Sequence, residues 1–259
     1  MVGYRLSETG TAQRPFRIES ISKNIWTIEE LCWFLTTHPA LIDDRLISLD
    51  LTRWLTSEFG LLQTVLKMEK AYKADAGMSD FLSPLLADLD YLTPQELRRF
   101  TMKLDRMSKV PVAIRLRLKG DALLENHCFG QAIAAYREAL ALSYGQGKQF
   151  EADLHHNSGT ASMQLLEYEE ACESFAKALR LTGSEEDKET YLTALYLAKP
   201  YKRFREDALA LHAGENILRE IEERVREVRT MPAAPAGSRE ELSGTLDSLC
   251  RAYPTEAGF

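Results

Sequence analysis

The chain contains few cysteines, no excess of basic residues and no long apolar run. No two of its four cysteines form a CxxC pair, so we expect free thiols rather than a disulfide framework, a redox site or a metal site. Acidic residues outnumber basic ones by 39 to 32, for a net charge of −7, which argues against a nucleic-acid-binding surface. The sequence predicts no membrane span and shows no apolar signal-peptide core, so the expected location is the cytoplasm.

Glycine and proline are also sparse, and they lie mostly at breaks between helical patterns. Between the breaks, apolar residues recur at the helical period, and Thr27–Glu30 and Thr93–Glu96 form two capping boxes that mark helix starts. Only the stretch 15–25, with an imperfect alternation, could hold a short strand or an extended arm. The pattern therefore predicts an all-α protein. After residue 110 we expect helices over 112–127, 130–143, 148–166, 168–182, 185–199 and 203–229.

Composition divides the chain into four regions. Residues 1–26 are a polar N-terminal arm, and 27–110 form a helical N-terminal region without an obvious consensus. Residues 111–230 carry the most regular helical pattern, ending in a capping helix. Residues 231–259 combine a Pro/Ala linker with a short C-terminal helix.

An internal repeat lies in the third region. When 39 is added to each position of 120–142, small residues fall on small residues, aromatic on aromatic and leucine on leucine: Gly120 matches Gly159, Ala132 matches Ala171, and Tyr136 matches Phe175. A small residue in one helix lets a neighbouring helix approach closely, and the aromatic fills the seam between them. Such helical hairpins bury their apolar faces by stacking on each other.

Over about residues 113–183 this pattern resembles the tetratricopeptide repeat (TPR) family. The resemblance implies a right-handed superhelical stack of helical hairpins, a TPR-like solenoid. The chain departs from the family in its spacing of 39 rather than 34 residues, and in Leu116 and His155 at the usual tryptophan position. A third repeat over 185–229 is degenerate and is interpreted as a long capping pair.

The resemblance also implies a function, because TPR proteins are mostly interaction scaffolds that hold a peptide or a partner helix in a concave groove. By correspondence with the family, the partner-binding groove here would comprise Arg117, Asp121, Leu124, Glu125, Asp153, His156, Asn157, Thr160, Met163 and Gln164. One TPR branch clamps C-terminal carboxylates with cationic and amide side chains. That clamp needs an asparagine at the position of Asp121 and cations at the positions of Asp187 and Tyr191. Because an acidic side chain would repel the carboxylate of the ligand, we reject a carboxylate clamp. A basic or polar protein partner suits the groove better.

The sequence supports other functions less well. A peptide-sensing regulatory protein that uses the same groove is the alternative, and an enzyme based on 27–110 is a remote one, since no catalytic motif occurs. No cofactor is expected. The pair Asp153 and His156 is the nearest approach to metal ligands, but we expect no metal site. A homodimer through 203–229 is the alternative to a capping helix there, because its apolar residues follow a heptad-like spacing.

Overall fold

The computed structural model describes residues 10–230, apart from the side chain of Arg229. The predicted linker and short helix in 231–259 and the first nine residues of the arm lie outside this range. By their contacts, residues 10–211 belong to one compact unit, and 212–230 belong to a second unit that is described by itself.

The N-terminal arm forms a small antiparallel hairpin. Strand β1 (Phe16–Ile18) pairs with β2 (Lys23–Ile25) through a short 3₁₀ turn, with Phe16 opposite Ile25. Of the two alternatives for 15–25, the structure has strands rather than an extended arm, and it has two strands where the sequence suggested one. It is the only sheet among residues 10–230.

The rest of the described chain is helical, so the predicted all-α class is confirmed. A short 3₁₀ turn at Pro39–Leu41 lies between the first two helices. The α-helices are α1 (Ile28–Thr37), α2 (Leu49–Phe59), α3 (Leu62–Lys73), α4 (Met78–Asp88), α5 (Pro94–Lys109), α6 (Val112–Glu125), α7 (Phe129–Ala141), α8 (Lys148–Gln164), α9 (Tyr168–Thr182), α10 (Glu185–Ala198), α11 (Tyr201–Ala210) and α12 (Glu215–Thr230).

Both capping boxes form as the sequence predicts. The Thr27 hydroxyl accepts from the Glu30 amide at 3.1 Å, and the Glu30 carboxylate accepts from the Thr27 amide at 3.2 Å. Thr93 and Glu96 make the same pair of bonds at the start of α5. Each box satisfies backbone donors that the first helical turn leaves unpaired.

One cluster of buried apolar residues runs from the β-hairpin through α1–α5 into α6, α7 and α8. The 3₁₀ turn Pro39–Leu41 packs against α6, and Lys119 of α6 pairs with Asp43 at 3.3 Å. The N-terminal region and the helical hairpins therefore share a core. Their predicted division at residue 110 stays a prediction.

From α6 to α11, each helix packs against the next one along the chain. Within the α6–α7 and α8–α9 pairs, the contact depends on a glycine. A Cβ at Gly159 would lie 2.8 Å from the ring of Phe175, and a Cβ at Gly120 would overlap the ring of Tyr136. Ala132 and Ala171 are fully buried in the same pairs. The two helix pairs thus use the same close contact, 39 residues apart.

The prediction of one continuous helix over 203–229 is wrong. The structure divides this segment into α11 and α12, because residues 211–214 form a break with His212 in the left-handed region at φ 51°. Leu218, Ile221 and Val225 of α12 are buried, whereas Val228 is 68% exposed. No single helical seam spans the segment, and a homodimer through it stays a prediction. Among the described helices, none is long and apolar enough to cross a membrane.

Candidate partner-binding face

Arg117 connects α6 to α8. Its Nη1 lies 3.0 Å from Oδ2 of Asp153 on α8, and its Nε lies 3.8 Å from Oδ2 of Asp121 one turn along α6. The guanidinium stands 5.7 Å from the centre of the Phe150 ring, at cation–π distance. Gln149 donates to the other oxygen of Asp153 at 2.8 Å. The charge of Arg117 is therefore shared between two carboxylates and an aromatic face.

Asp121 joins three helices through one oxygen. Its Oδ1 accepts from the Tyr136 hydroxyl of α7 and from Nδ2 of Asn157 on α8, each at 2.9 Å. Tyr136 is fully buried, and burial together with the nearby charge of Asp121 raises the pKa of its hydroxyl, which therefore stays protonated as a donor. Asp121 gives this buried hydroxyl its hydrogen-bond partner.

His156 connects α8 to α10. Its Nδ1 lies 2.8 Å from Oδ1 of Asp187, and its ring stands edge-on to Phe175 with centroids 5.3 Å apart. The other Asp187 oxygen accepts from Thr182 at 2.5 Å and from Ser184 at 2.7 Å. Burial alone would raise the pKa of Asp187, but the hydrogen bonds from Thr182, His156 and Ser184 together lower it.

We call these side chains the inter-helix network. Its members are Arg117, Asp121, Tyr136, Asp153, His156, Asn157 and Asp187. The network consists of two bonded groups that no hydrogen bond or ion pair joins within the described residues. Arg117, Asp121, Tyr136, Asp153 and Asn157 form one across α6, α7 and α8, and His156 and Asp187 form the other between α8 and α10. Five of the ten predicted groove residues belong to these groups. Tyr136 and Asp187 were not predicted for this role. Tyr136 was expected only to fill a seam, and Asp187 to repel a ligand, whereas both are held inside the network.

The other five predicted groove residues do not join it. The Thr160 hydroxyl donates to the backbone oxygen of His156 at 3.1 Å. Leu124 and Met163 are half-buried, and Leu124 packs against the core cluster. Glu125 and Gln164 are exposed at the ends of their helices.

The network remains partly accessible. The side chains of Arg117, Asp153 and His156 are 34%, 29% and 26% exposed. Nε2 of His156 and Oδ1 of Asn157 make no hydrogen bond within the described part of the chain. The face can therefore offer polar groups to a ligand without breaking the bonds that join its helices.

Asp153 bonds Gln149 and Arg117, whereas His156 bonds Asp187. In residues 10–230, no group of three or more His, Cys, Asp or Glu side chains is arranged to hold a metal. No protein-family model and no curated protein matches the chain. The resemblance to the TPR family therefore depends on the sequence pattern of the two hairpins.

Proposed function

We propose that this protein is a cytoplasmic protein–protein interaction adaptor of the TPR type, which binds an extended peptide or a partner helix across α6, α8 and α10. The observation that supports it is the inter-helix network. Polar side chains with unused hydrogen-bonding atoms lie side by side on alternate helices. An extended peptide needs such donors and acceptors along its backbone.

A right-handed superhelical stack is part of the proposal. It is supported by the packing of each helix on the next from α6 to α11 and by the matching glycine–aromatic contacts of the α6–α7 and α8–α9 pairs. In such a stack the first helices of successive pairs line one surface. The links from α6 to α8 and from α8 to α10 fit that arrangement.

The charge of the network indicates the chemistry of the partner. Three carboxylates, Asp121, Asp153 and Asp187, stand against one permanent cation, Arg117. A further carboxylate would be repelled, whereas a lysine or arginine side chain or a neutral polar group would be favoured. We therefore propose a basic or polar segment as the ligand, and not a free C-terminus.

Affinity capture from native lysate with the full chain as bait, followed by mass spectrometry, tests this proposal. The bait is compared with the double variant His156→Ala/Asn157→Ala, which removes the two unused hydrogen-bonding atoms and adds no charge. We expect a protein retained by the wild type to be lost with the double variant. Its binding segment, made as a synthetic peptide, should be basic or polar. Equal retention by both baits would place binding on another surface and contradict the proposal.

Two control variants separate loss of binding from loss of structure. Tyr136→Phe removes one hydrogen bond to the same Asp121 oxygen that Asn157 uses, but leaves every predicted groove side chain in place. Arg99→Glu reverses an exposed charge on α5, far along the chain from the network. Both controls should retain the partner. Loss of the partner with either control would show that retention depends on fold stability or on total charge, and not on the groove side chains.

A further inference from the structure

A cleft of about 270 Å³ lies between α7, α8 and α9. Each helix contributes one face to it, with residues three or four positions apart. The more buried lining residues are Ile133, Leu140, His155, Ser158, Ser162 and Ser174. Charged side chains of Arg137, Glu167, Glu170, Glu173 and Lys177 form its exposed rim. The cleft uses His155 of α8, whereas the inter-helix network uses His156.

Ser162 is the unusual residue of the cleft. It is only 3% exposed and its hydroxyl makes no hydrogen bond with any described residue, but the oxygen is not enclosed. The enclosed side-chain polar atoms without a partner among residues 10–230 are Oγ of Ser48 and Nε of Arg115. The Ser162 hydroxyl therefore reaches the open space of the cleft, where it can bond water or a ligand. The position 39 residues earlier is Leu123, which is 1% exposed. The α8–α9 pair therefore carries a small polar residue where the α6–α7 pair buries a leucine.

His155 is likewise a polar residue at a position where the α6–α7 pair has a leucine. The position 39 residues earlier is Leu116, which packs against the core cluster. Burial, and then the charge of Lys177, lowers the pKa of His155, so its imidazole is neutral near pH 7 and can donate as well as accept a hydrogen bond. Two apolar positions of one helix pair have thus become two uncharged polar groups in the other, and both line the cleft.

The rim carries unpaired charges of both signs. Arg137 on α7 and Lys177 on α9 make no ion pair with any residue that the structure describes, although Glu170 and Glu173 line the same cleft. These carboxylates make no side-chain hydrogen bond or ion pair within the described chain either. The cleft therefore presents cations and anions that do not neutralise each other. A ligand with both charges could engage both sets.

We propose that this cleft binds a small amphoteric molecule, one that carries a carboxylate and an ammonium group, of the size of an amino acid or a dipeptide. Arg137 and Lys177 would hold the carboxylate, and the rim glutamates would hold the ammonium. Ser162 and His155 would bond its polar atoms at the floor. The volume is smaller than that of a site for a drug-sized ligand, which favours a small metabolite. The proposal is independent of partner binding on α6, α8 and α10.

Calorimetric titration of the full chain tests it. The probes are the twenty protein amino acids and glycylglycine, each titrated alone, with acetate and methylammonium as controls that carry only one of the two charges. We expect saturable binding of at least one amphoteric probe and none of acetate or methylammonium. Absence of binding by every amphoteric probe would overturn the proposal. Equal binding of acetate would overturn the assignment of the ligand class.

Two variants locate the binding site. Ser162→Leu introduces the residue that the α6–α7 pair already buries at the matching position, so it should fill the cleft and abolish binding without lowering the melting temperature. Arg137→Gln removes one cation without filling space and should weaken binding by about tenfold or more, as expected for the loss of a charged hydrogen bond. Arg99→Gln on α5 is the control and should bind as the wild type does. Wild-type affinity in both cleft variants would contradict the proposal.

Discussion

The substitution Gly159→Ala tests the close contact between α8 and α9. The new Cβ would lie 2.8, 2.9 and 3.0 Å from Cε1, Cδ1 and Cζ of Phe175. Carbon atoms pack best at about 3.5–4.0 Å, so the ring would have to retreat by roughly 0.7 Å. Phe175 is only 3% exposed and has little room to do so. Overpacking of this kind costs about 1–3 kcal/mol.

A second effect acts in the opposite direction. Alanine favours a helix over glycine by about 1 kcal/mol, so the new residue also stabilises α8 locally. The net expectation is a loss of up to about 2 kcal/mol in the free energy of unfolding. The sign of the result therefore shows whether the contact with Phe175 outweighs the helix propensity.

Urea unfolding of four proteins measures this effect: the wild type, Gly159→Ala, Phe175→Leu and the double variant. With leucine at 175 the ring is absent, and Gly159→Ala should become neutral or stabilising. Gly130→Ala in α7 is the control, since its Cβ would have no neighbour within 4 Å. Should Gly159→Ala change the free energy of unfolding equally in both backgrounds, the proposed contact would be refuted.

Three further predictions concern the same helices. Ala171→Glu places a charge at a fully buried site and should lower the free energy of unfolding by several kcal/mol, whereas Ala134→Glu on an exposed face should change the melting temperature little. Because the folded pKa of Asp187 is lowered, its contribution is present above the unfolded carboxyl pKa of about 3.9 and is lost as the pH falls through the folded value. Urea midpoints between about pH 7 and 3 should therefore fall less steeply in Asp187→Asn than in the wild type. Asp121→Ala leaves the buried Tyr136 hydroxyl without its acceptor and should cost about 1–3 kcal/mol, but much less in a Tyr136→Phe background, as a double-mutant cycle would show.

The start and end of several helices could be predicted because local chemistry determines them. Thr27 and Thr93 cap helices through neighbours only three residues away, and Gly60 ends α2 in the left-handed conformation. These interactions depend on short stretches of chain. The sequence therefore contains all the information they need.

The break between α11 and α12 was missed for a physical reason. Leu211, Leu218 and Ile221 keep a helical spacing across it, and one glycine inside a helix costs only about 1 kcal/mol, so Gly214 does not reveal a break. The left-handed conformation at His212 has no distinctive sequence signal. Apolar periodicity therefore predicted one helix where the structure has two.

The candidate face was predicted in part. Arg117 and Asp121 are one helical turn apart, as are Asp153 and Asn157, so their placement on shared helix faces followed from spacing. The bonds between these helices could not be predicted from spacing, because the distance between two helices depends on how their side chains pack. Tyr136 and Asp187 joined the network for the same reason. Their partners lie 15 and 31 residues away along the chain.

Hydrogen exchange with a peptide from the captured partner is the most direct test of partner binding on α6, α8 and α10. On binding, we predict slower amide exchange in residues 112–125, 148–164 and 185–198, no comparable change in α2–α4, and loss of the effect in His156→Ala/Asn157→Ala. Protection confined to α2–α4, or protection that persists in the double variant, would contradict the account.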